Sequence, residues 1–234
     1  MKKIFSIFLF LIYVEAHSKY NSAYNFTIAH PITTNSFKGK ISTSFNYYVR
    51  NYNVRNSYIS FQIPFVVTWN ADDLISSDHK MYFGKPGQFG DRGSNFIVQN
   101  CDFYLSIGTR LPYMVTGYNA KKFAAKAKFK VMVDIDSKEL NKTDLKIDLK
   151  IKSDAKIFLK NFFNKLKRYN YSDEWLDYCK SIRKKYPILL KQMVNEKKYV
   201  NSYYFVKTLS KYTKKNDIII TDMGFSFTTT HQAL

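Results

Sequence analysis

Cysteine is nearly missing from this chain: Cys101 and Cys179 are the only two in 234 residues. Two thiols, one heading an apolar run and one in a helical pattern, make neither a disulfide framework nor a zinc site; free, buried thiols are expected. Acidic side chains are also scarce, 18 against 37 lysines and arginines, for a net charge of +19. Such a surplus recruits phosphate backbones when it gathers on one face. Here the lysines are scattered, and the arginines are only Arg50, Arg55, Arg92, Arg110, Arg168 and Arg183. No nucleic-acid motif accompanies them, so a specific nucleic-acid role is not expected. Heavy joint use of Lys, Asn, Tyr, Phe and Ile reads instead as drift in an AT-rich genome. The apolar run from Ile4 to Val14 falls short of the about 20 residues that span a bilayer, so no membrane span is expected. His17, His30, His79 and His231 have no partner at metal-ligand spacing.

What is present is a globular composition, 45% hydrophobic, in a chain long enough for one sizeable core or one domain plus a fragment. The stretch from Ile63 to Arg110 organises it. Ile63-Pro-Phe-Val-Val-Thr68 and Phe103-Tyr-Leu-Ser-Ile107 are short apolar runs without polar alternation. That pattern predicts central strands of a parallel sheet covered on both faces. Between them Gly84, Gly87, Gly90 and Gly93 recur every third residue, half of the eight glycines present. Two readings stay open: a cradle for a phosphate or cofactor, or a tight crossover loop. It is not a dinucleotide fingerprint, because Trp69 to Phe83 separates it from the strand.

Further along, Phe96, Ile97 and Gln99 suit a short helix over 93–100 leading into the second strand. A helix is expected over 121–127 and a strand over 129–133, with Ser137 capping a short helix. Residues 145–151 alternate as a strand with one wet face. Asp154 caps a helix over 155–168 whose inward face is Ile157, Phe158, Phe162 and Leu166. Another helix runs over 172–184, and Asn201 caps one through residue 215 with Tyr204, Phe205, Leu209 and Tyr212 inward. Asp217-Ile-Ile-Ile220 reads as a buried strand. Ahead of all this, residues 19–61 are polar and aromatic, with short strands possible over 40–48 and 58–61.

The stretch IPFVVTWNADDLISSDHKMYFGKPGQFGDRGSNFIVQNCDFYLSIGTRL resembles the central domain of thiamine-diphosphate-dependent enzymes, specifically acetolactate synthase large subunits. The likeness continues through VTGYNAKKFA (115–124) and KFKVMVDIDSKEL (128–140). Residues 199–227 are similar to the opening of the family's diphosphate-binding domain. The resemblance implies an α/β fold: a Rossmann-like parallel sheet with helices on both faces, followed by an incomplete second α/β domain. The domain reading is an unmatched region over 1–62, a central domain over 63–185, a linker over 186–198 and the start of the second domain over 199–234. It further implies thiamine diphosphate and Mg2+ as cofactors, a 2-oxo acid substrate, a homodimer or tetramer, and a cytoplasmic location.

Residues are carried over one by one. Thr221-Asp-Met-Gly224-Phe225-Ser226 matches the turn that in the family lies on the diphosphate side, although the family commonly has Gly-Gln-His where Gly224, Phe225 and Ser226 stand. Gly108 and Arg110 match the strand end of the FAD site of acetolactate synthases. Asp134 and Asp136, at the next strand end, could accept bonds from ribose hydroxyls, with a structural role the preferred reading. Pro112-Tyr113-Met114 replaces the family's Asp-Asp-Arg, so the site is vestigial and FAD is not expected. No Gly-Asp-Gly motif for metal and diphosphate occurs, and the activating glutamate of the pyrimidine-binding domain has no counterpart. The expectation is a fragment of a carboligase, truncated or frame-shifted ahead of Ile63 and not catalytically competent alone, with no catalytic or metal residue assigned. The alternative expectation starts from residues 1–16. Lys2 and Lys3, the apolar run and Ala16 resemble a secretory signal, which with the sequons at Asn25, Asn141 and Asn170 would suit a secreted or surface binding protein.

Overall fold

The computed structural model describes residues 8–12, 63–71, 75–142, 144–166, 173–214 and 217–234. Five parallel strands form one sheet in the order β2-β1-β3-β4-β5. They are β1 (Phe8–Ile12), β2 (Phe65–Val67), β3 (Phe103–Ile107), β4 (Phe129–Asp134) and β5 (Leu149–Lys152). Part of the signal-like run, Phe8–Ile12, is therefore an interior strand of the sheet. Phe10 pairs with Phe65 on one side and Leu105 on the other. β1 comes from a segment far ahead of β2 in the sequence. The strands expected over 40–48 and 58–61, with His17, His30 and Asn25, lie outside the described residues.

Alternation along the strands divides the sheet into two buried faces. Val66, Tyr104 and Met132 enter one core cluster with Ile97, Val98 and Cys101 of the α1 end and with Trp175 and Cys179. The helices over that face are α1 (Arg92–Asn100) and α4 (Asp173–Lys185). Phe65, Val67, Leu105, Ile107, Val131 and Val133 are buried on the opposite face, and Leu159 of α3 (Ala155–Leu166) is buried too. The near-continuous apolar runs follow from this double cover. Both cysteines are free and buried.

Lys130 breaks the rule. It sits on the α1 side of β4, buried, and donates Nζ to Phe123 O at 2.7 Å. Burial lowers its pKa, with the Asp148 carboxylate pulling the other way.

The glycine ladder resolves in favour of the tight loop. Asp91 Oδ2 accepts from Lys85 N at 2.8 Å, and Asp91 N donates to Lys85 O at 2.6 Å. Asn95 fills the turn of Gly87 from both sides, its Oδ1 accepting from Gly87 N and its Nδ2 donating to Gly87 O. A β-carbon at Gly90 would stand 2.2 Å from Lys85 O. These glycines let the backbone approach its own chain.

Several local expectations are corrected. Residues 120–122 form a 3-10 turn in place of the helix over 121–127. The cap of α2 (Ser137–Leu140) is Asp136, whose side chain accepts from Lys138 N, and not Ser137. In α3, capped by Asp154 as expected, Ile157 faces solvent, while Leu159 is buried. The connection over 186–198 contains α5 (Lys191–Asn195). Helix α6 (Ser202–Leu209) is capped by Asn201, but Val206 is its buried residue, while Tyr204, Phe205, Leu209 and Tyr212 are exposed. Residues 217–220 form no strand or helix among the described residues, and Ile220 is 90% exposed. Helix α7 (Phe225–Ala233) ends the chain and packs on α6.

Candidate functional site

In an open parallel sheet, helices leave in opposite directions where the strand order reverses, and a crevice opens at the carboxyl ends beside that point. Here the reversal falls between β1 and β3. A cleft of about 700 Å³ lies at the carboxyl ends of the neighbouring strands, a volume within the range of ligand sites. Thr68, Trp69 and Asn70 after β2, residues 109–113 with Val115 and Thr116 after β3, and Asn141, Lys142, Asp144 and Leu145 after α2 line it.

Two features mark this cleft. Thr68 is 2% exposed and its hydroxyl has no hydrogen-bond partner among the described residues. Native structures rarely leave a buried hydroxyl unmatched, so an oxygen or nitrogen from outside the chain would satisfy it. Leu111 holds φ at 46°, a conformation uncommon for a residue with a β-carbon, directly after Arg110. Such backbone positions gather at binding sites.

The charges in the wall are already matched. Glu139 of α2 is buried, and its Oε1 accepts from Arg110 Nε at 2.8 Å and lies 2.8 Å from Arg110 Nη2. Lys142 Nζ contacts Glu139 Oε2 and also donates to Arg110 O at 2.7 Å. One carboxylate thus holds both cations that line the cleft near β3, and Asp144 lines it as well. Together these contacts tie the loop after β3 to the end of α2.

The structure places the other anticipated residues as follows. Gly108 ends β3 at φ 63° and donates its N–H to Val133 O. Asp134 is buried, and its Oδ1 accepts from Asp136 N; Asp136 in turn caps α2. Both carboxylates serve their own backbone, and neither lines the cleft. Gly224, Phe225 and Ser226 form the first turn of α7, away from the cleft lining. Gly224 has φ 88° and open space where a β-carbon would stand, and no side chain caps the turn. Ser226 Oγ donates back to Asp222 O. Among the described residues, no group of three or more His, Cys, Asp or Glu could hold a metal ion.

Three participants were missed in the sequence: Thr68, Glu139 and Lys142. Glu139 carried a weak signal, since it lies in the stretch ending DIDSKEL, yet an acid in a short helix reads as solvated until its burial is known. Trp69 was passed over as a loop residue. It stacks on Phe89 and meets Phe227 of α7 edge-on, joining the cleft rim to the last helix.

A doubly wound parallel sheet with a carboxyl-end cleft defines a Rossmann-like α/β domain. Comparison with known proteins narrows the class. Residues 53–162 match the family described as thiamine pyrophosphate enzyme, central domain. The chain is 30% identical over 171 residues to the probable acetolactate synthase large subunit of Methanocaldococcus jannaschii, which covers 70% of this chain and 28% of that protein. It is 26% identical over 164 residues to the acetolactate synthase large subunit of Lactococcus lactis, again 70% of this chain and 28% of the relative. A third relative is the 3D-(3,5/4)-trihydroxycyclohexane-1,2-dione hydrolase of Clostridium tetani, 29% identical over 147 residues, 60% of this chain and 22% of the relative. Over residues 53–162 the chain is similar to the central domain of thiamine-pyrophosphate enzymes, and acetolactate synthase large subunits are among its relatives. It spans under a third of the length of the relatives it matches.

Proposed function

We propose that this chain is the central-domain part of a thiamine-diphosphate-dependent carboligase resembling acetolactate synthase. The parent reaction decarboxylates a 2-oxo acid and joins the remaining carbons to a second carbonyl compound. The match of residues 53–162 to the central domain carries this reading, and the parallel sheet with its carboxyl-end cleft supports it. Thiamine diphosphate, when bound, supplies the carbanion chemistry, and the protein supplies position and charge.

The residues present suit one half of that cofactor. The first turn of α7 offers N–H groups that no side chain caps, beside a glycine with open space above it. Such a turn orients an anion, and on this reading Gly224, Phe225 and Ser226 face the diphosphate. The metal half does not fit, because no acidic cluster accompanies that turn among the described residues. The FAD-type site does not fit either. Arg110 is engaged by Glu139, Met114 stands where a second cation would be needed, and Asp134 and Asp136 serve the backbone. The central domain then acts as scaffold, with α7 held on the glycine loop through Gln232 Nε2, which donates to Phe89 O at 2.6 Å.

A cytoplasmic, uncleaved chain accords with this reading, because the signal-like run supplies β1. Homo-oligomer formation and 2-oxo acid binding are carried over from the parent family as proposals. The test is carbon dioxide release from pyruvate with thiamine diphosphate and Mg2+. The purified chain is expected to stay at the protein-free rate, and turnover by it alone would contradict the reading.

A further inference from the structure

The cleft has the place and size of a ligand site, yet its cations are held by the protein itself. Glu139 is set into the wall rather than exposed at the rim. Its side chain is 10% exposed, whereas that of Arg110 is 58% exposed. A surface ion pair of this kind would be weak and easily displaced if both partners were solvated. Here the carboxylate is buried, so removing its cations would leave a desolvated charge without partners, which is strongly unfavourable. An incoming phosphate would have to take Arg110 and Lys142 from Glu139 against that penalty.

We propose that Glu139 is a specificity-determining residue of the cleft: an internal anion that occupies Arg110 and Lys142 and makes the cleft reject phosphate-bearing ligands. Two further observations agree. Lys142 also donates to Arg110 O, so both cations are fixed in position as well as in charge. A buried polar group of the cleft without a partner among the described residues, the Thr68 hydroxyl, is neutral and lies at the opposite, β2 side. The inference concerns the cleft alone and stands or falls apart from the carboligase reading.

The experiment is calorimetric titration of the full chain with ADP and, as a matched probe without phosphate, adenosine. Wild type is expected to show no preference for ADP over adenosine. Glu139→Gln keeps the side-chain volume and removes the charge. It is expected to bind ADP at least about tenfold more tightly than wild type, a change of about 1.4 kcal/mol, with adenosine unaffected. Wild type preferring ADP by about tenfold or more would overturn the proposal, as would folded Glu139→Gln with no gain for ADP. Circular dichroism reports whether that variant folds. If it does not, Arg110→Gln decides, since the Arg110 side chain is largely exposed. Its ADP affinity is expected to equal that of wild type, and a loss of about tenfold would show Arg110 free to hold phosphate and the proposal wrong.

Discussion

The ring of Phe227 meets the indole of Trp69 edge-on with centroids 5.4 Å apart. Trp69 follows β2 at the mouth of the cleft, and Phe227 lies in the first turns of α7. The contact therefore couples the central sheet to the helix whose first turn is proposed to face a diphosphate. Aromatic pairs of this geometry are worth about 0.5–1.5 kcal/mol beyond their buried area. Phe227→Ala is expected to speed hydrogen exchange of the α7 amides while leaving those of β3 and β4 unchanged. Equal exchange throughout would mean that packing on α6 and the bonds of Gln232 and Lys85 hold α7 without the aromatic contact.

Gly90 offers a sharper test of the glycine loop. Its missing β-carbon would stand 2.2 Å from Lys85 O and 2.6 Å from the carbonyl carbon of Pro86, both backbone atoms that cannot rotate away. Gly90→Ala is expected to destabilise the chain by about 1–3 kcal/mol or more, the range for forced overpacking. A chemical denaturation curve measures it. An unchanged midpoint would show that the loop opens readily, as a ligand cradle could.

Removal of residues 1–16 separates a strand from a cleavable leader. The truncation deletes β1, which pairs with β2 and β3 at once, and so detaches β2 from the sheet. The shortened chain is expected to lose cooperative thermal unfolding. A truncated chain with the same melting curve would contradict the sheet order and favour the leader.

The buried ionisable groups set the alkaline limit. Burial pushes the Cys101 thiol up to about 12 from an ordinary 9.0, with the Asp102 charge adding to it. Burial also raises Cys179 and Tyr104. Above pH 9 the unfolded chain gives up these protons while the folded chain keeps them, so stability falls as pH rises toward 12. Lys130 acts in the opposite sense, because its folded form deprotonates before the unfolded one does. With Tyr178 and Tyr203 raised as well, five groups against one predict net alkaline destabilisation beginning near pH 9. The Tyr104 hydroxyl has no hydrogen-bond partner among the described residues, so Tyr104→Phe is expected to leave neutral-pH stability unchanged or raise it by about 1 kcal/mol. The same variant should unfold less readily at high pH, as thermal melts from pH 7 to 11 would show, at about the range where phenols titrate.

What could be read from the sequence was local and periodic. Phe103–Ile107 is a strand with the expected bounds, and 129–133 and 93–100 each fall within a residue of β4 and α1. The caps at Asp154 and Asn201 were legible because a side-chain oxygen must meet free N–H groups at a helix start. Long-range choices were not legible. Whether Phe8–Ile12 joins a sheet depends on partners more than fifty residues away, and an apolar run behind two lysines looks alike in both roles. Ile218 to Ile220 has strand composition but finds no neighbour among the described residues, so composition misled. In α6 the helical period was right and the face was wrong, because a stripe of Tyr and Phe is amphipathic enough to lie outward. At the site, Arg110 could be found from the strand end, but not the carboxylate that occupies it, 29 residues on.

On the proposed reading, a thiamine-diphosphate enzyme central domain is joined to a turn that suits the cofactor's diphosphate but not its metal. Calorimetric titration of the purified chain with thiamine diphosphate, with and without Mg2+, tests it most directly. The account predicts no Mg2+-dependent binding, so that any heat seen is weak, equal with and without the metal, and lost on adding salt. Saturable binding that requires Mg2+ would contradict it and would mean that donors within these 234 residues replace the missing acidic motif.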